Sequence, residues 1–94
     1  VTFNEPSLTD KMVPSLERVY GKENVKITPF ITGAEDFPFF TDHAPGLYFF
    51  NGVAPDPSKA APNHSPYFFA DERNLKYGTK ALTQLAVDYL YLYK

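Results

Sequence analysis

The chain has 94 residues, 44% of them hydrophobic and 17% aromatic, enough for one small domain or a piece of one and too apolar for a disordered tail. Nine lysines and arginines against eleven acids give a formal charge of -2, so nothing electrostatic recommends nucleic acid or an anionic membrane surface as a partner. The absence of cysteine excludes disulfides and thiolate metal ligands within these residues without identifying a compartment, cytoplasm or periplasm.

No apolar run approaches the roughly 20 residues that span a bilayer, and the opening VTFNEPSL lacks the basic and apolar regions of a signal peptide. The chain therefore reads as soluble. Position 1 is Val1 rather than methionine, which suggests a trimmed or internal portion of a longer protein.

In chain order, Pro6-Ser7 followed by LTDKMVPSLERVYG predicts an amphipathic helix, with Ser7 as cap and Asp10 as its capping-box partner. Leu8, Met12, Leu16, Val19 and Tyr20 fall on one stripe, and Gly21 supplies the stop. Pro14 removes a backbone donor inside this pattern, so a kink or a late start is expected. NVKITPF alternates Val25 and Ile27 with polar residues, the pattern of a short strand that Pro29 ends or confines to an edge. In GLYFFNGV, Gly46 to Val53, four large apolar residues run without alternation, which predicts a strand covered on both faces. Residues 54–66, APDPSKAAPNHSP, read as a loop whose length suggests a function. Asn74 then caps a helix whose stripe is Leu75, Ala81, Leu82, Leu85, Ala86, Tyr89 and Tyr93. Strand, loop and long helix in this order predict an α/β fold, but two or three strands are fewer than a stable doubly wound sheet has, so the segment reads as part of a sheet.

Three places carry candidate chemistry. In ITGAEDFPFF, Gly33 and Ala34 permit a tight turn, after which Glu35 and Asp36 stand where open α/β folds place ligands. The alternative is that one of these acids caps the short helix DFPFFTDHA, where the dipole favours a carboxylate. His43, near the end of that helix, reads as structural. His64, between Pro62 and Pro66, has two readings: an imidazole metal ligand oriented by the prolines, with Asn63 or Ser65 supporting its ring, or a surface histidine. Ser65 beside His64 is not a nucleophile-base pair, since those meet across a fold. There is no glycine-rich phosphate loop and no H-E-x-x-H helix. Tyr67, Phe68 and Phe69 could line an apolar pocket, although packing under the last helix is expected for at least two of them.

Taken together, GAEDFPFFTDHAPGLYFFNGVAP and PNHSPYFFADERNLKYGTKALTQLAVDYL resemble the C-terminal end of the di-metal amidohydrolase and carboxypeptidase family, which includes hippurate and auxin-conjugate hydrolases. The resemblance rests on Gly33 to Phe37, Pro45-Gly46, Leu47 to Gly52, the His64-Ser65-Pro66-Tyr67-Phe68 motif and Gly78 within the last helix. The opening VTFNEPSLTDKM is similar to the family's Asn-acid/x-Pro-x-Leu segment. One departure is Ala34, where relatives often carry serine.

The resemblance implies that residues 1–94 are the C-terminal part of a three-layer α/β/α catalytic domain of zinc-peptidase type, without the lid and dimerisation domain or the N-terminal catalytic part. It implies hydrolysis of amide bonds in N-acyl amino acids or small peptides by a metal-activated water, with zinc, manganese, nickel or cobalt as the divalent ion. His64 would be one metal ligand. Glu35 and Asp36, with Gly33 in the same loop, would lie at the substrate rim without being ligands, and Gly78 would let the last helix approach the sheet. The remaining ligands and the general base would come from the rest of the catalytic domain, so the isolated segment is expected to be inactive. Full-length members of the family often form homodimers through the lid. The competing reading is a small interaction domain that presents Tyr67, Phe68, Phe69 and the C-terminal tyrosines as an aromatic surface.

Overall fold

A computed structural model describes residues 2–28, 35–54, 56–61 and 64–93. Three α-helices are present among them: α1 (Pro6–Tyr20), α2 (Pro38–Thr41) and α3 (Leu75–Leu92), with single 3-10 turns at Lys22–Asn24, Pro57–Lys59 and Glu72–Asn74.

The start of α1 is set by Glu5 rather than by Ser7. The Glu5 carboxylate accepts the amides of Ser7 at 3.1 Å and Leu8 at 2.7 Å, with Pro6 in the first turn, where its missing N–H costs nothing. Ser7 and Asp10 therefore do not form the expected capping box, because the longer Glu5 side chain already satisfies the free donors. The helix also runs through Pro14 and does not begin late. Asp10, whose carbonyl loses its partner, and Pro14 are both exposed, so water can replace the missing bond. Gly21, with φ 87°, ends the helix as its sequence predicts.

α1 packs along α3. Among the described residues, Met12 and Leu16 from α1 and Ala81 from α3 are the buried apolar ones. The seam also contains a polar cluster. Ser15 is buried, and its hydroxyl donates to Asp88 Oδ2 at 2.5 Å; Arg18 pairs with the same carboxylate, and Gln84 donates to Asp88 Oδ1 at 2.9 Å. These bonds tie the two helices to one another in a fixed register. Only part of the predicted α3 stripe is covered: Ala81 is buried, whereas Leu75, Leu82, Tyr89 and Tyr93 remain exposed. Asn74 stands at the helix start but makes no side-chain cap bond. Asp71 caps the preceding 3-10 turn instead, by accepting the Arg73 amide at 3.0 Å.

Among the described residues there is no β-strand, so the strand predicted at Gly46–Val53 is not formed as such, nor is the described part, residues 24–28, of the one predicted over NVKITPF; Pro29 and Phe30 lie outside the described residues. The physical reason is the missing ladder: a strand is defined by its neighbour, and residues 46–53 are tied instead by isolated bonds. Glu5 donates its amide to Gly46 O at 3.0 Å, and Asp71 donates its own to Val53 O at 2.6 Å. Between them, the Asn4 carboxamide donates to Tyr48 O at 2.9 Å and accepts the Tyr48 amide at 2.7 Å, the pair of bonds a neighbouring peptide group would make. The expectation that both faces of this segment are covered is also corrected. Leu47 and Phe49 line a groove with Leu8, Met12, Leu85 and Tyr89 of the helix pair, while Phe50 is 61% exposed.

At the far end of the segment, the Tyr20 hydroxyl donates to Asn51 Oδ1 at 2.5 Å, and Asn51 Nδ2 donates to the Asn74 carbonyl at 3.1 Å. This carboxamide lies against Gly78, where an added Cβ would stand 3.2 Å from Asn51 Nδ2. Glycine at 78 thus brings α3 close to residue 51.

Candidate functional site

Glu35 and Asp36 lie just before α2, and both are exposed. Neither carboxylate caps that helix: its N-cap is Phe37, which has no side-chain cap bond. The capping alternative is therefore corrected. Proline in the first turn and the Asp36 carbonyl, which accepts the Phe39 amide at 3.1 Å, start this single turn without a carboxylate. Glu35 is engaged elsewhere. Tyr48 donates its phenol hydroxyl to Glu35 Oε1 at 2.8 Å, and that hydrogen bond, with lesser contributions from burial and from the negative charge, raises the phenol above its ordinary ionisation range. Gly33, the third residue assigned to this loop, lies outside the described residues, as does Ala34.

Tyr48 is held firmly. Its backbone is bonded on both sides by Asn4, and its ring lies 5.2 Å from the Phe37 ring and 5.5 Å from the Phe50 ring, the latter edge-on. Sequence reasoning missed both Tyr48 and Asn4 as determinants of the Glu35 position. The signal for Asn4 was present in the Asn4-Glu5-Pro6-x-Leu8 motif. The signal for Tyr48 was not, since an apolar run gives no reason to single out one phenol.

His64 stands in a turn and is exposed. The following turn is closed by Ser65, whose hydroxyl accepts the Tyr67 amide at 3.1 Å and whose carbonyl accepts the Phe68 amide at 3.1 Å. Ser65 is thereby engaged with the turn. Pro62 and Asn63 lie outside the described residues. Among the described residues no three histidines, cysteines or acids come together as a metal-holding group. The imidazole of His64 suits a divalent ion chemically and is accessible to one, but these residues supply no complete donor set. The expected packing of two of the three aromatics beneath α3 is corrected, because Tyr67 is 85%, Phe68 40% and Phe69 66% exposed. His43 is exposed too, and its amide closes the end of α2 on Phe40 O at 3.1 Å.

The groove between α1, residues 44–49 and α3 has a volume of about 480 Å³. Its lining is mostly aliphatic and aromatic, and its one carboxylate, Glu5, is committed to the helix cap. Among the described residues no helix is long and apolar enough to cross a membrane.

Comparison with known proteins identifies the relatives. Residues 1–88 match the model of the peptidase family M20/M25/M40. Thermostable carboxypeptidase 2 of Saccharolobus solfataricus is 38% identical over 90 residues, covering 95% of this chain and 22% of that protein. Thermostable carboxypeptidase 1 of the same organism is 39% identical over 89 residues, 94% of this chain and 22% of that protein. IAA-amino acid hydrolase ILR1-like 4 of Arabidopsis thaliana is 34% identical over 95 residues, 94% of this chain and 21% of that protein. The chain thus spans about a fifth of the length of these curated relatives. No solved structure matches it. The resemblance read from GAEDF, the Pro45-Gly46 turn and HSPYF is borne out, and the chain belongs to the peptidase family M20/M25/M40, among hydrolases of carboxypeptidase and amidohydrolase type.

Proposed function

We propose that these residues are the C-terminal part of the catalytic domain of a metal-dependent hydrolase that cleaves the amide bond of N-acyl amino acids or small peptides. The observation that carries the reading is the family match over residues 1–88. The relatives named carboxypeptidase and IAA-amino acid hydrolase support an amide as the bond broken. Peptidases of this family are generally metal-dependent.

His64 contributes one imidazole nitrogen to a divalent ion, and the other ligands and the general base come from the rest of the catalytic domain. When bound, such ions supply a water of lowered pKa and polarise the scissile carbonyl. The chain's own part is to present His64 from the turn that Ser65 closes, and to hold Glu35 and Asp36, with Gly33, at the substrate rim. The 94 residues alone are inactive, because one imidazole cannot hold an ion in place.

Exposed aromatics are also what an interaction domain would show. The shared family and the chain's coverage of about a fifth of its relatives favour the enzyme reading, in which Phe50, Tyr67 and Phe69 are covered by the remainder of the catalytic domain. The test uses the complete gene product that contains this sequence. Activity against a panel of N-acyl amino acids and dipeptides is measured after chelation and after reloading with zinc, manganese, nickel or cobalt. His64→Ala should lower turnover by more than roughly 100-fold and lower the bound metal content, with an unchanged circular dichroism spectrum. Wild-type turnover and metal content in that variant would refute the ligand assignment.

A further inference from the structure

We propose that Tyr48 is a positioning residue that holds the Glu35 carboxylate in one orientation at the substrate rim, an inference that rests on the hydrolase reading above. Among the described residues, Tyr48 is the side chain that bonds this carboxylate, at 2.8 Å to Oε1. An exposed glutamate ordinarily samples several rotamers, and an exposed hydrogen bond adds little to stability. Such a bond selects a rotamer only when its donor is already fixed.

Tyr48 meets that condition on three sides. The Asn4 carboxamide grips both its N–H, at 2.7 Å, and its C=O, at 2.9 Å. Phe37 lies 5.2 Å from its ring and Phe50 meets it edge-on at 5.5 Å, so the ring has little room to swing. The phenol oxygen is therefore a rigid donor at the end of a clamped residue. With Oε1 occupied, and no bond to Oε2 among the described residues, Oε2 can accept an N–H, the donor that an N-acyl amino acid or a peptide carries at its amide. Holding such an acceptor in place before substrate arrives removes an ordering cost from binding. The raised pKa of the phenol, which keeps its proton on the oxygen, agrees with a donor facing the Glu35 carboxylate.

The test compares Tyr48→Phe, Glu35→Ala and the double variant in the complete, metal-loaded gene product. Tyr48→Phe retains the ring and removes only the hydroxyl, and equal melting temperatures will show that packing is intact. Each single change should raise KM for an N-acyl amino acid by about 5-fold or more while changing kcat less. The double variant should be no worse than Glu35→Ala alone. Ultraviolet titration gives a readout independent of turnover: the phenol signal lost in Tyr48→Phe should move to lower pH in Glu35→Ala. A wild-type KM in Tyr48→Phe, or single effects that multiply in the double variant, would overturn the positioning role while leaving the hydrolase reading intact. A wild-type enzyme inactive on the whole panel would overturn both.

Discussion

Asn4→Ala is the sharpest test of how residues 46–53 are held. The carboxamide makes two bonds to one residue, accepting the Tyr48 amide at 2.7 Å and donating to its carbonyl at 2.9 Å. A neutral hydrogen bond contributes about 1 kcal/mol net, and the site is half-buried, so water recovers part of the loss; the two bonds together should be worth about 1.5 kcal/mol. That corresponds to a melting temperature lower by roughly 6–12 °C in a cooperative unit of about 60–100 residues and by roughly 3–6 °C in one of about 150–250 residues. Asn4→Asp separates the two bonds. At pH 7 its carboxylate still accepts from Tyr48 N–H but faces the Tyr48 carbonyl with a second acceptor, so it should be at least as destabilising as alanine. Below a pH of about 4 the protonated acid can donate again, and the deficit relative to wild type measured at the same pH should shrink. Thermal melts of the three proteins at pH 7 and at acid pH decide the matter. Alanine within about 2 °C of wild type, inside the ordinary scatter of a surface substitution, would mean that the carboxamide does not substitute for a strand neighbour.

Asp88 gives a pH prediction. The Ser15 hydroxyl above all, with Gln84 and Arg18 adding less, holds its carboxyl below the ordinary value of 3.8 against an opposing effect of burial that is second in size to that of Ser15. A folded-state pKa depressed in this way stabilises the protein above the unfolded value, and that stability is lost as pH falls from about 4 through the folded pKa. Asp88→Asn or Ser15→Ala should therefore flatten the acid limb of a plot of melting temperature against pH, and an unchanged limb would refute the linkage. Gly78→Ala would ordinarily stabilise a helix interior by about 1 kcal/mol, but here the new Cβ would stand 3.2 Å from an Asn51 amide that Asn74 O and Tyr20 hold in place. The expected outcome in denaturant titration is no gain in the wild-type background and a gain after Asn51→Ala. A full gain in the wild-type background would show that Asn51 yields freely. Leu16→Ala, in the buried seam between α1 and α3, should cost about 2–4 kcal/mol by the same titration, and a loss below 1 kcal/mol would mean that the two helices are not packed as described.

The parts of the fold that could be read from sequence are those whose causes are local. The α1 stripe, the Gly21 stop and the span of α3 follow from 3.6-residue periodicity and from a residue with positive φ, and both helices form where that pattern lies. Their caps were misread because a cap is a competition among nearby side chains: Glu5 reaches the donors that Ser7 was expected to serve, and Asp71 acts one turn ahead of Asn74. The strand at 46–53 failed for a different reason. Leu47 to Phe50 has the composition of an interior strand, but a strand is a relation between two segments, and among the described residues the backbone of 46–53 is answered by the Asn4 carboxamide and by the isolated amides of Glu5 and Asp71 rather than by a ladder. The candidate site shows the same division. His64 and Glu35 could be singled out by residue type and family motif, whereas the pairing of Glu35 with Tyr48 joins residues 13 apart through a ring whose place depends on Asn4, 44 positions from it. NEPSL is accordingly more than an entry into a helix. Its asparagine completes the backbone of residue 48, its glutamate caps α1, its proline occupies the first helical turn, and its leucine lines the groove beneath Leu47 and Phe49. A motif with four residues bound to four different tasks tolerates little change, and that constraint makes it as informative about this family's architecture as the histidine loop is about its chemistry.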